Sequence, residues 1–147
     1  MPRRPGGQRP PAATPAEPRW VERVVVDAIH FDQLRAHGGL RGVRDADALE
    51  AALARARHRW ASEPASDLAS LAAAYAFGLV TTHPYRDGNK RIAFLTMVVF
   101  LGLNGSDFEA PEAEVVTTML AAADHRATEA DLTAWFRRCM VPFDPSS

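Results

Sequence analysis

Five basic or acidic side chains and a glycine fall within nine consecutive residues, His83-Pro84-Tyr85-Arg86-Asp87-Gly88-Asn89-Lys90-Arg91. No hydrophobic core requires that composition. The segment lies where one helix pattern has ended and a strongly apolar one begins near Asn89. The first backbone N–H groups of a helix lack intrahelical partners, and the helix dipole puts partial positive charge there, so this end suits an anion. Gly88, lacking a Cβ, lets the backbone approach that anion, and Lys90 and Arg91 add full charges beside it. A polyphosphate is the expected ligand. Asp87 can do what the cations cannot, which is to hold a hard cation such as Mg2+ against phosphates through oxygen. His83, four residues earlier, carries an imidazole, which can take the proton of an incoming hydroxyl. A base, a metal ligand and an anion cradle together make a site for phosphoryl or nucleotidyl transfer. The donor's identity does not follow from the residue types.

The other members of the segment have plainer expectations. Tyr85 is expected to anchor the loop by packing, and Arg86 to be solvated. An Asp87–Lys90 surface ion pair is the bland alternative to the cradle, worth less than about 1 kcal/mol. His30 and His37 are candidates to line the groove, although a polar residue near a helix end is ordinary. One cysteine and scattered histidines lack the spacing of a structural zinc site.

The elements that must position these residues follow from periodicity. Val21, Val24, Val25, Ala28 and Ile29 recur at helical spacing, although Val24-Val25-Val26 would also suit a short strand. That helix ends near His37-Gly38-Gly39. After a loop from Leu40 to Arg44, Asp45 caps a short alanine-rich helix with Leu49, Ala52, Leu53 and Ala56 on its apolar face. The stretch from Arg57 to Ser66, with Trp60, reads as an exposed loop. Asp67 caps a helix that carries Leu68, Leu71, Ala72, Tyr75 and Leu79 on one face and stops at Pro84. The helix from Asn89 to Leu103 is apolar on nearly every face and is therefore expected at the centre of the fold. Asn104-Gly105 ends it, and a short extended piece surrounds Phe108. Pro111-Glu112-Ala113-Glu114 opens a helix with Val115, Val116, Met119 and Leu120. Thr128 and Asp131 resemble a capping box, with Asp in place of the usual Glu, for a last helix bearing Leu132, Trp135, Phe136, Cys139 and Met140. No strand pattern is convincing, so the expected fold is an all-α bundle of about six helices with a central buried helix.

The 147 residues fit one domain, and 47% hydrophobic content suffices for a core without disulfides or structural metals. The 17 basic and 18 acidic residues give a net charge of −1, too little field to hold nucleic acid or an anionic membrane. The single cysteine, Cys139, suits a reducing compartment, with the cytoplasm as the expectation. Residues 1–19, rich in proline and arginine, read as a disordered leader without a signal-peptide core; residues 20–143 form the expected catalytic domain and 144–147 a tail.

The nine-residue segment resembles the signature of the Fic/Doc family, with Tyr85 where that family usually has Phe. The resemblance extends over about residues 20 to 140 and includes Ile29-His30, the turn His37-Gly38-Gly39-Leu40-Arg41-Gly42-Val43-Arg44-Asp45, the Leu71 to Leu79 helix and Leu101-Gly102-Leu103-Asn104-Gly105. It implies that His83 deprotonates the target hydroxyl, that Asp87 positions Mg2+, that Gly88, Asn89 and Lys90 form the anion hole, and that Arg91 holds phosphate oxygens. Adenylylating relatives carry a second glycine at the position of Lys90 and a second arginine at that of Phe94. Both departures resemble the Doc branch, toxins thought to transfer the γ-phosphate of ATP to a threonine of elongation factor Tu. The resemblance therefore implies a kinase, with protein adenylyl transfer as the alternative and a non-catalytic binding partner with a vestigial motif as a third possibility. The expected partners are a target protein of the translation machinery and a cognate antitoxin. The antitoxin follows from finding no internal inhibitory Ser/Thr-x-x-x-Glu-Gly/Asn pattern. Trp60, in the segment corresponding in order to the family's flap, is a candidate for target docking.

Overall fold

The computed structural model describes residues 16–144; most of the leader (1–15) and the end of the tail (145–147) lie outside the described residues. Six helices and a two-stranded ribbon follow in order: α1 (Arg23–His37), α2 (Ala46–Ser62), α3 (Leu68–Thr82), α4 (Asn89–Leu103), β1 (Ser106–Phe108), α5 (Glu112–Ala123), α6 (Glu129–Cys139) and β2 (Met140–Pro142). The architecture is the expected all-α bundle apart from the antiparallel ribbon, in which Phe108 pairs with Met140. Met140, expected on the last helix, is instead its extended C-cap, at φ −72° and ψ 140°, and is taken up in the ribbon. No helix of the described residues is long and apolar enough to cross a membrane.

Three helix starts use the side-chain oxygens read from the sequence. Asp45 accepts from the Ala48 N–H at 3.0 Å and Asp67 from the Ser70 N–H at 2.9 Å. Thr128 and Asp131 cap one another reciprocally. Each such cap satisfies an orphan donor and contributes about 1 kcal/mol. Hydrogen bonds from Thr128, its backbone N–H first, hold the Asp131 carboxyl below its ordinary range.

The buried centre is α3, not α4. Ten α3 residues are buried, including Ala69, Ala72, Ala73, Ala74 and Ala76 together with Leu71, Tyr75 and Leu79, and α2, α4, α5 and α6 all pack on it. Small side chains make this possible, because they let neighbouring helix backbones come close on every side. At Gly78 an added Cβ would lie 3.3 Å from the Ala52 Cα and 3.2 Å from the Arg55 Cδ. The sequence pattern favoured α4 because its apolar residues are larger; part of their surface serves a groove described below.

Two further expectations change. The buried face of α1 is Val26, Ile29 and His30, at i, i+3 and i+4, whereas Val24 is 73% exposed. The helix turns this way because Val21, just before it, is pinned under the core by its N–H donating to the Tyr75 hydroxyl at 3.0 Å. Helix α2 runs on through Ser62, so most of the segment read as a loop is helical, and Trp60 sits on it, edge-on to Trp20 at 6.2 Å between ring centroids. Trp20 in turn stacks on Phe100 at 6.0 Å, while Arg19, counted with the leader, exchanges two hydrogen bonds of 2.9 Å with Asn104. These aromatic contacts accompany a helical end that has no apolar periodicity in the sequence.

Replacing Gly78 by Ile is expected to destabilise the fold by about 1–3 kcal/mol through overpacking against α2. Gly102→Ala, where an added Cβ meets nothing within 4 Å, is expected to stabilise it by up to about 1 kcal/mol. Denaturant unfolding of both variants checks the pair; equal effects would contradict the close α2–α3 approach.

Candidate active site

The segment from His83 to Gly88 spans the C-terminus of α3 and the N-terminus of α4. At its first residue the chain leaves α3 through a left-handed conformation, with His83 at φ 49° and ψ 57°. At its last, Gly88 enters α4 at φ 78° and ψ 13°, a region glycine adopts without penalty. Gly88 offers no side-chain cap, so the N–H groups of Asn89, Lys90 and Arg91 are not satisfied by one and point where the helix dipole favours an anion.

Tyr85 holds the middle of the loop. Only 2% exposed, its ring stacks on His30 at 3.9 Å and its hydroxyl donates to Asp27 Oδ1 at 2.8 Å. Burial first, and the Asp27 carboxylate second, push the phenol well above its ordinary range, so it stays a neutral donor. Arg23 holds the other Asp27 oxygen at 2.9 Å and reaches Glu50 at 2.6 Å, tying the anchor to α2. Asn89 closes the loop from the other side: its Oδ1 accepts from the Tyr85 N–H at 2.9 Å and its Nδ2 donates to the Tyr85 carbonyl at 2.8 Å. The side-chain amide of Asn89 is therefore engaged within the loop, and what it offers an anion is its backbone N–H.

Asp87 lies on the exposed rim. Its Oδ1 accepts from the Gly88 N–H at 3.0 Å and its Oδ2 from the Leu40 N–H at 3.2 Å. Its carbonyl meets His30 Nε2 at 3.1 Å. The Gly38–Asp45 turn thus helps to hold the carboxylate, and Gly39 has to be glycine: at φ 122° an added Cβ would lie 2.8 Å from Asp87 Oδ2. Among the described residues no group of three or more His, Cys, Asp or Glu could enclose a metal ion. One exposed carboxylate beside an anion cradle matches instead the way Mg2+ is held, by one or two carboxylates together with substrate phosphates.

Lys90 and Arg91 are exposed, and neither pairs with a carboxylate among the described residues. Both line a groove of about 660 Å³, together with Gln33, His37 and the apolar Phe94, Leu95, Phe108, Val115 and Met119. Phe94 packs edge-on to Phe108 at 5.4 Å. The side of α4 that made it look central is in part the wall of this groove.

The structure brings His83, Tyr85, Asp87, Gly88, Asn89, Lys90 and Arg91 into one loop and helix end. It does not bring Trp60 there: Trp60 packs through Trp20 near Phe100, eleven residues along α4 from Asn89 and so about 16 Å away along the axis. His30, in the sequence only a candidate to line the groove, and Asp27, for which the sequence carries no expectation, both hold the loop. The signal available was the i, i+3 spacing of Asp27 and His30, which puts both on the α1 face turned to the loop.

The family model described as Fic/DOC family matches residues 20–101, which span α1 to most of α4 and include every residue of the loop. The chain is also 33% identical, over 98 residues, to "Protein kinase doc" of Escherichia phage P1, an alignment covering 66% of this chain and 78% of that protein.

Tyr85→Phe is expected to cost about 1.5–3 kcal/mol by removing the hydrogen bond to the Asp27 carboxylate. Because the folded-state phenol titrates above its unfolded value, its stabilisation is present below about pH 10 and fades as pH rises beyond that. The stability gap between wild type and Tyr85→Phe should therefore shrink above pH 10; a gap constant with pH would contradict the assigned hydrogen bond. Gly39→Ala should displace the Asp87 carboxylate, read as shifts of the Leu40 and Gly88 amide resonances whose N–H groups donate to it; unmoved resonances in the folded variant would contradict the close approach.

Proposed function

The chain belongs to the Fic/Doc family, on its Doc side, and from that premise we propose that it is a toxin kinase transferring the γ-phosphate of ATP to a Ser/Thr hydroxyl of a translation factor resembling elongation factor Tu. The observation that carries the reading is the pairing of Lys90 with Phe94 around the uncapped N-terminus of α4. Lys90 adds a charge where adenylylating relatives have glycine. Phe94, packed on Phe108 in an apolar wall, cannot hold the second phosphate that an arginine there would. The name of the phage relative, a protein kinase, supports the same choice.

In this mechanism the N–H groups of Asn89, Lys90 and Arg91 hold phosphate oxygens at a site already oriented before substrate arrives, so little reorganisation accompanies transfer. Lys90 and Arg91 add charge to the same oxygens. His83, exposed at the rim, takes the proton of the attacking hydroxyl. Asp87 is the residue that would hold Mg2+, which supplies charge neutralisation on the phosphates when bound. Tyr85 and the side-chain amide of Asn89 act on neither substrate; they keep base and cradle at a fixed separation.

The remaining assignments rest on the same reading. A separate antitoxin chain restrains the protein by covering this loop, and protein synthesis is what the free toxin blocks. The Gly38–Asp45 turn, with Leu40 65% exposed next to Asp87, is better placed than Trp60 to meet the target protein.

Incubating the protein with elongation factor Tu and either γ-labelled or α-labelled ATP tests the proposal. Label should reach the factor from the γ position only, and His83→Ala should lower the rate by about 10²–10⁴-fold. Transfer from the α position would replace kinase by adenylyltransferase. Growth inhibition unaffected by His83→Ala would mean that the motif is vestigial and the protein acts by binding.

A further inference from the structure

His83 has a backbone conformation that its sequence neighbours oppose. The residue before a proline is pushed toward extended conformations by the proline ring, yet His83, followed by Pro84, is held at φ 49° and ψ 57°. A side chain with a Cβ occupies that region only where its surroundings impose it. Its position also ends α3, whose last carbonyls have no partners within the helix.

The imposing group is Arg44. Its Nε donates to the His83 carbonyl at 2.8 Å and its NH2 group to the Thr82 carbonyl at 2.7 Å. The backbone N–H groups of Arg44 and Asp45 continue the series, donating to the Pro84 carbonyl at 2.7 and 3.0 Å. Three successive carbonyls, 82 to 84, are thus fixed by two successive residues of the turn before α2. A guanidinium is suited to this because its donors form a rigid planar fork that can span two acceptors at once, and its charge faces the negative end of the α3 dipole. Arg44 pairs with no carboxylate among the described residues. The far side of the turn is secured separately, by the Arg86 N–H donating to the Gly42 carbonyl at 3.0 Å and by the bridge between Val43 and Tyr85.

We propose that Arg44 is a positioning residue for His83: by clamping the Thr82 and His83 carbonyls it holds the left-handed turn that aims the imidazole at the substrate hydroxyl. The inference rests on the reading of His83 as the base, and the structural half of it can be measured without any enzyme assay. The Cα and Cβ chemical shifts of His83 distinguish a left-handed from an extended residue. In folded Arg44→Ala they should move toward extended values, while the shifts of the Asn89–Phe94 turn stay in place. In the kinase assay the same variant should lose about ten- to a hundredfold in kcat with the KM for ATP unchanged, and millimolar methylguanidinium should restore part of the rate. Arg44→Lys keeps the charge but not the fork, so it should show the same shift change; it serves also if the alanine variant is too unstable to study. Unchanged His83 shifts in either folded variant would overturn the proposal whatever the activity does. A rise in KM at constant kcat would overturn it too, by assigning Arg44 to nucleotide binding. Absence of transfer by wild type itself would count against the kinase reading, leaving the shifts to decide the role of Arg44.

Discussion

A neutral phenol buried between two helices decides where this protein can do chemistry. Tyr85 is stacked on His30 and bonded through its hydroxyl to Asp27, and its own peptide groups are taken up by Asn89. Without it the loop between α3 and α4 would be held only through its backbone, by Arg44, Asp45 and Gly42. With it, the residues on either side are forced outward. His83 and Asp87, two before and two after the anchor, both reach the exposed rim, because the chain must turn back on itself around a fixed ring.

The two helix ends joined by the loop have opposite electrical character, and the surrounding residues answer each in kind. At the C-terminus of α3 the exposed carbonyls are met by the cation Arg44. At the N-terminus of α4 the N–H groups are left without a side-chain cap, and the neighbouring cations Lys90 and Arg91 have no carboxylate among the described residues to neutralise them. The starts of α2, α3 and α6 are capped by Asp45, Asp67 and Thr128, whereas those of α1 and α5 are as bare as that of α4. What distinguishes α4 is the pair of exposed cations in its first turn, Lys90 and Arg91, which line the groove.

Much of this was legible in the residues. The caps at Asp45, Asp67 and Thr128–Asp131 were readable because capping is local: an oxygen three residues before an N–H needs no tertiary information. The signature loop was readable because five basic or acidic side chains within nine residues have no place in a core. Three things were not. The burial of α3 depends on alanines and Gly78, which give weak periodic signal yet permit closer packing than leucine. The continuation of α2 to Ser62 depends on Trp60 meeting Trp20, a contact forty residues apart. The roles of Asp27, His30 and Arg44 depend on α1 and the turn before α2 folding back over a loop some forty to sixty residues later, and a single polar residue on a helix face does not announce its distant partner.

In the proposed function the bare N-terminus of α4 binds the phosphates of a nucleotide. Titrating the labelled protein with Mg2+ and a non-hydrolysable ATP analogue, while following backbone amide resonances, tests it directly. The largest saturable shifts are expected at Gly88, Asn89, Lys90 and Arg91, weakening with added salt, with Trp60 and α6 unaffected. Saturable shifts centred away from the α4 N-terminus, with Gly88 to Arg91 unmoved, would contradict it.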